Sequence, residues 1–208
     1  VKKIGGTKNI HLDQVMDLQP DLIIGCKEEN TQADIEALAA KLPVWISDVN
    51  TLEDAINLVH ELGIVLDRQV VAKSILESIK NNFAKLKVAP KTKVAYLIWN
   101  SPMMVAANST FIHDILCTIG FENVYAEKKR YPHTTIEELN ELNPDVVLLS
   151  SEPFPFKEEH VRMFSQSLPG STVLLVDGTY FSWYGSRLAQ APDYFNSITN
   201  SMMPIARA

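Results

Sequence analysis

The stretch best suited to holding a ligand is Asp177-Gly-Thr-Tyr-Phe-Ser-Trp-Tyr-Gly-Ser-Arg187, which follows directly on the apolar run Val173-Leu-Leu-Val. Aromatic faces offer stacking area, and Arg187 offers a bidentate donor or a cation–π partner, so the loop suits a planar or anionic ligand. The plainer alternative is that Phe181 and Trp183 pack the last helix onto the sheet, because apolar side chains are inside by default. A second loop, Trp99-Asn-Ser-Pro-Met-Met-Val-Ala-Ala-Asn-Ser109, also follows an apolar run. Met103 and Met104 beside Trp99 form either an adaptable wall for a large ligand or core filling. A third loop, Lys128-Lys-Arg-Tyr-Pro-His133, gathers three basic residues. It reads as an anion-attracting loop or, more simply, as a solvated charge run.

Catalytic and metal signals are weaker. The histidines His11, His60, His113, His133 and His160 are scattered, without a His-x-x-x-His pair. His113 and Cys117 stand four apart on an expected helix, a possible two-ligand face that is more commonly packing. Gly5-Gly6-Thr7-Lys8 lacks the spacing of a phosphate loop, no G-x-S-x-G elbow occurs, and no acid–base–nucleophile set stands out. Cys26 and Cys117 carry no C-x-x-C pattern, so one disulfide and two thiols are both open.

These loops sit on an internal repeat. Leu12-Asp-Gln-Val-Met-Asp-Leu-Gln-Pro-Asp-Leu-Ile-Ile24 and Ile136-Glu-Glu-Leu-Asn-Glu-Leu-Asn-Pro-Asp-Val-Val-Leu148 share one pattern. Each is a short amphipathic helix, a polar-Pro-Asp breaker and a fully apolar strand of the kind buried in a parallel sheet. At the same offset Glu28 falls opposite Glu152, each just past a strand and ahead of a helix. Acidic residues suit a helix N-terminus for dipole reasons alone. Two equivalent carboxylates also suit docking onto a partner with two matching basic sites, with Glu29 an alternative to Glu28. A further helix and an apolar strand ending in Asp follow in each half, Val44-Trp-Ile-Ser-Asp48 and Val173-Leu-Leu-Val-Asp177.

The second half opens with a strand over 94–99 and a helix over 110–119 stopped by Gly120. The first half has no counterpart, so an opening strand and helix of about 30 residues are expected ahead of Val1 in the natural gene. Residues 68–87 read as one helix, with Val71, Ile75, Ile79, Phe83 and Leu86 at helical spacing and Pro90 closing it. At ~30 Å it is long enough to cross between two lobes. Capping signals occur at Thr31-x-x-Asp34, Thr51-x-x-Asp54 and Thr135-x-x-Glu138. Alternating strands and helices imply an α/β protein of two Rossmann-like lobes with parallel sheets and a ligand cleft between them. The expected division is 1–66, 67–90 for the joining helix, and 91–208.

Composition fits this plan. The 208 residues are 46% hydrophobic and 21% charged, which excludes a disordered or fibrous chain. Nineteen Lys and Arg against 25 Asp and Glu give a net charge of −6, which argues against nucleic acid as a partner. No apolar run approaches the 18 or so residues of a membrane span, and no signal peptide is visible.

Taken together, Gly5-Gly-Thr-Lys-Asn9, Gln19-Pro-Asp-Leu-Ile-Ile24, Lys27-Glu-Glu-Asn30, Ser151-Glu-Pro-Phe-Pro-Phe156 and Asp177–Arg187 resemble the substrate-binding proteins of ABC importers. The similarity is to the helical-backbone class that binds vitamin B12, haem or ferric siderophores. It implies a monomeric receptor, two lobes joined by one long rigid helix, no catalysis and no cofactor beyond the carried metal chelate. It implies delivery to a permease dimer with its ATPase, and a periplasmic or lipid-anchored location. Carried onto this chain, it assigns Glu152 and one of Glu28 or Glu29 to permease docking. Trp99, Met103, Trp183, Tyr184 and Arg187 become ligand contacts. A bare divalent metal is not expected. The alternatives are a two-lobed enzyme, chelatase-like or glycosyltransferase-like, on the same plan, and a degenerate relative that transports nothing.

Overall fold

A computed structural model describes residues 1–202 and divides the chain into two compact units, Val1–Val49 and Asn50–Ala208. In the first, β1 (Gly5–Gly6) and β2 (Asn9–Ile10) pair antiparallel, and α1 (Leu12–Asp17) leads to β3 (Ile23–Cys26). α2 (Gln32–Ala39) then crosses to β4 (Val44–Ser47), which pairs parallel with β3, Ile23 opposite Val44. Thr31 caps α2 by accepting from the Asp34 N–H, as its capping signal requires.

The second unit begins with two helices, α3 (Leu52–Val65) and α4 (Gln69–Phe83). Thr51 and Asp54 form a reciprocal capping box at the start of α3. The helix expected over 68–87 is α4, shorter by a turn at its end. Both helices belong to the second unit, so the division falls after Val49 rather than at residue 66.

Then follow β5 (Thr92–Asn100), β6 (Met103–Val105), α5 (Phe111–Ile119), β7 (Phe121–Asn123), α6 (Ile136–Leu142), β8 (Val146–Ser150), α7 (Glu158–Ser167) and β9 (Thr172–Val176). α8 (Thr179–Ser182), a 3-10 turn at Ser186–Gln190 and α9 (Ala191–Met202) complete it. The sheet order is β6-β5-β8-β9. β5, β8 and β9 run parallel, β7 lies parallel beside Thr92, Lys93 and Val94, and β6 runs antiparallel to β5. An antiparallel β6 is not expected from the sequence, because Met-Met-Val carries no alternation to mark a strand. Gly120 ends α5 at φ 99°, where only glycine is unstrained.

Successive residues of β5 serve opposite faces. Ala95 and Leu97 join Val147 and Leu149 of β8 in a core closed by Leu139, Phe156, Phe164 and Leu168. Tyr96 points the other way, its ring 5.0 Å from Phe181, which in turn lies 5.0 Å from Phe195 of α9. Burial on both faces explains the unbroken apolar runs read in the sequence. Because β5, β8 and β9 are parallel, the loops after Trp99, Ser150 and Val176 all leave the same edge of the sheet.

Candidate functional site

At that edge the segment 151–156 braces both neighbouring loops. Glu152 accepts through one oxygen, Oε1, from Ser182 Oγ and from the indole Nε1 of Trp183, each at 2.7 Å. Two residues on, Phe154 sets its ring edge-on to Trp99 with centroids 5.7 Å apart, and Phe156 backs it at 4.7 Å. The backbone here hangs from the interior. Buried Tyr96 donates to Ser150 Oγ at 3.1 Å, Ser150 donates to the Glu152 carbonyl at 2.6 Å, and the Gly178 N–H donates to Ser151 Oγ at 3.0 Å. Burial pushes the Tyr96 phenol far above its ordinary range, so it stays a neutral donor at any physiological pH.

The tryptophans are presented rather than buried: Trp183 is 53% exposed and Trp99 38%. Both indole N–H groups are already used, Trp183 on Glu152 and Trp99 on the Ser101 carbonyl at 3.0 Å. What each offers a ligand is therefore a ring face held at a set angle, not a hydrogen bond.

Arg187 is committed inward. Its guanidinium pairs with Asp177 at 3.0 Å, stacks 4.3 Å over Tyr180 and lies 6.0 Å from the Trp183 ring. Tyr180 stacks in turn on Tyr194 at 4.3 Å, and the Tyr194 hydroxyl accepts the Asp177 N–H at 2.6 Å. The half-exposed Asp177–Arg187 pair contributes ~0–1 kcal/mol, so its role is to shape the loop more than to stabilise the fold. Tyr184 leans edge-on against Phe111 at 5.3 Å, and Met103 packs against the core from the sheet edge. Of the five expected ligand contacts, Trp183 and Arg187 share one cluster, Trp99 meets Phe154, Met103 lies beside Trp99 where β6 pairs with Asn100, and Tyr184 packs on Phe111.

Two of the three basic residues in the loop 128–133 are engaged within the protein. Lys128 pairs with Glu138, and Arg130 reaches Asn50 at 3.3 Å and the Ser109 carbonyl at 3.1 Å. His113 Nε2 faces Cys117 Sγ at 3.6 Å, while Asn123 Nδ2 lies 3.2 Å from Nδ1. The Asn123 amide is oriented by its bonds to the Ala106 carbonyl and the Tyr125 N–H, so Nδ1 accepts and Nε2 carries the proton. That tautomer turns an N–H, not a lone pair, toward the thiol. Burial also raises the Cys117 thiol, and among the described residues no three metal-ligating side chains converge. Neither cysteine is in a disulfide among the described residues. A hollow of about 600 Å³ along α3 and α4, walled by Leu52, Ile56, Ile64, Leu76 and Phe83, includes none of the loop residues.

In the first unit the turn after β3 carries the other carboxylates. Lys8 donates to the Glu28 carbonyl at 2.7 Å, Thr7 to Glu29 Oε2 at 3.3 Å, and Asn30 to the Thr7 carbonyl at 3.0 Å. The Gly5–Asn9 motif thus holds the Lys27–Asn30 motif in place, with Glu28 half-buried and Glu29 exposed.

The model of the periplasmic binding protein family matches residues 1–168, four-fifths of the chain. The chain belongs to that family. It is 27% identical over 156 residues to the vitamin B12-binding protein of Vibrio parahaemolyticus, covering 72% of this chain and 57% of that one. The vitamin B12-binding protein of Pectobacterium carotovorum is 22% identical over 212 residues, covering 98% and 76%. The fold matches the periplasmic heme-binding protein RhuT from Roseiflexus, with a TM-score of 0.77 at 17% identity over 97% of this chain and 82% of that one. The chain therefore spans 57% to 82% of the length of these three proteins. The family and its structural neighbours are binding proteins rather than enzymes.

Sequence reasoning missed Ser182, Phe154 and Tyr194. The first two lie inside motifs already singled out, but nothing in their spacing marks a partner. Tyr194 has no local signal at all.

Proposed function

We propose that the protein is the solute receptor of an ABC import system that binds a metal chelate, a corrinoid, haem or a ferric siderophore, and delivers it to a membrane permease. The observation that carries this reading is the pair of exposed indole faces, Trp99 and Trp183, whose N–H groups are both satisfied within the protein. Such faces offer stacking and apolar contact area to a large ligand held by shape more than by hydrogen bonds from the indoles. The names of the relatives, vitamin B12-binding and heme-binding, support the same ligand class. Glu152 of the second unit and Glu28 or Glu29 of the first then engage permease arginines, and the receptor works in the cell envelope, as its family does. No step changes the ligand covalently.

Calorimetric melting of the full-length protein with cyanocobalamin, haemin and a ferric siderophore tests this without interference from ligand absorbance. A ligand at 100 times its dissociation constant adds ~2.7 kcal/mol, very roughly 5–10 °C for a protein of this size. A shift with one chelate class supports the receptor reading and identifies the cargo; no shift with any of the three counts against it.

A further inference from the structure

Glu152 sits against the exposed Trp183 indole, and its side chain is not laid out as a docking group alone. Both of its hydrogen bonds fall on Oε1, and Oε2 has none among the described residues. The two donors differ in kind. Ser182 has one proton and two acceptors in reach, Glu152 Oε1 at 2.7 Å and the Gly178 carbonyl at 2.9 Å, so its bond to the carboxylate is shared. The Trp183 indole has one proton and one acceptor. The firm link is therefore between Glu152 and Trp183.

We propose that Glu152 is a positioning residue for ligand binding, fixing the plane of the Trp183 indole, and that the same short segment fixes Trp99 through Phe154. The inference rests on the receptor reading for the identity of what stacks on the rings. An exposed indole rotates about two side-chain torsions, and a charged acceptor on its N–H removes that freedom before a ligand arrives. Phe154 does the same by contact: its N–H donates to the Ile98 carbonyl at 3.3 Å, and its ring also packs edge-on against Phe156 at 4.7 Å and His160 at 5.4 Å. Glu152, Pro153 and Phe154 thus set the angle of both ring faces from one backbone segment, itself anchored to buried Tyr96 through Ser150. A consequence is that substitutions at Glu152 chosen to probe docking also disturb the ligand site.

The experiment uses the full-length protein with cyanocobalamin and haemin as probes, in wild type, Glu152→Ala, Glu152→Gln, Trp183→Phe and the double variant Glu152→Ala with Trp183→Phe. The chain has three tryptophans, so its indole ¹⁵N–H spectrum is simple, and Trp183→Phe identifies the Trp183 signal by its loss. Glu152→Ala is expected to shift that signal alone and to weaken the bound probe about tenfold or more, as loss of a hydrogen bond to a charged acceptor does. Glu152→Gln, which keeps an acceptor oxygen without the charge, should restore most of the affinity. The double variant should bind no worse than Trp183→Phe alone, since both changes remove one interaction. An unshifted Trp183 signal in Glu152→Ala overturns the proposal. So does wild-type affinity in Glu152→Ala where Trp183→Phe weakens binding, or Glu152→Gln as impaired as Glu152→Ala, or Trp183→Phe binding the probe as wild type does. If neither probe binds wild type, the receptor reading fails for these ligands, and the Trp183 signal still decides whether Glu152 holds the indole.

Discussion

The indole N–H of Trp183 donates to Oε1 of Glu152 at 2.7 Å, joining residues 31 positions apart in the chain. One belongs to the aromatic loop after β9, the other to the Ser-Glu-Pro loop after β8. Each reads from sequence as a separate functional element, one for ligand and one for partner, yet they share a single hydrogen bond. Docking at the second unit is accordingly hard to probe in isolation, while the first unit gives a cleaner test.

At that first-unit turn, Glu28 is half-buried and Glu29 exposed. Under the proposed docking to a permease, reversing the charge of the contacting carboxylate would replace attraction by like-charge repulsion, worth several kcal/mol at an interface. One of Glu28→Arg and Glu29→Arg should lower chelate uptake by cells at least about tenfold. Uptake untouched by both would remove the docking assignment from this unit.

Gly178 has no room for a side chain. A Cβ there would stand 2.2 Å from Ser150 Oγ and 2.8 Å from Glu152 Cγ, although the backbone itself is unstrained at φ −58°. Gly178→Ala should therefore cost ~1–3 kcal/mol by overpacking and displace the Trp183 indole signal. Urea unfolding measures the first, and an unchanged midpoint would show that the loop yields freely.

Phe181 and Trp183 lie two residues apart and have opposite fates. Phe181 is fully buried between Tyr96 and Phe195, so Phe181→Ala should cost ~3–5 kcal/mol. Trp183→Ala, at a half-exposed site, should cost under about 1.5 kcal/mol and act on binding instead. Similar unfolding midpoints for the two variants would contradict the packing described.

His113 gives the fold an acid sensitivity. Burial lowers its basicity below the ordinary 6.5, against a smaller opposing pull from Asp114. The unfolded chain therefore binds the proton more readily. The stability that neutral His113 contributes is present above pH 6.5 and is lost as the pH falls from there through its lowered folded value. His113→Gln should flatten this part of the curve of melting temperature against pH; an identical curve would assign the sensitivity to other groups.

The parallel strands, the helix caps at Thr31, Thr51 and Thr135 and the stop at Gly120 were legible in the sequence because each has a local chemical cause. Apolar runs bounded by Pro-Asp breakers, hydroxyls three residues ahead of acids and a glycine at a left-handed turn need no distant partner. The candidate site was legible only as a set of loops. Trp183 and Phe181 cannot be told apart by type, and a loop has no periodicity to say which one faces inward. The bond from Trp183 to Glu152 and the stacking of Tyr194 on Tyr180 depend on how parallel strands bring loop ends together. Met103 read as loop because a three-residue edge strand has no pattern, and the division after Val49 depends on packing of α3 and α4 that neither helix announces.

The most direct test is equilibrium dialysis of the full-length protein against cyanocobalamin, haemin and a ferric hydroxamate, with the retained ligand released by denaturation and weighed by mass spectrometry. A receptor of this family that uses Trp99 and Trp183 as stacking faces retains at least one of the three and returns it with its mass unchanged. Retention of none, or recovery of a chemically altered ligand, would contradict the receptor reading.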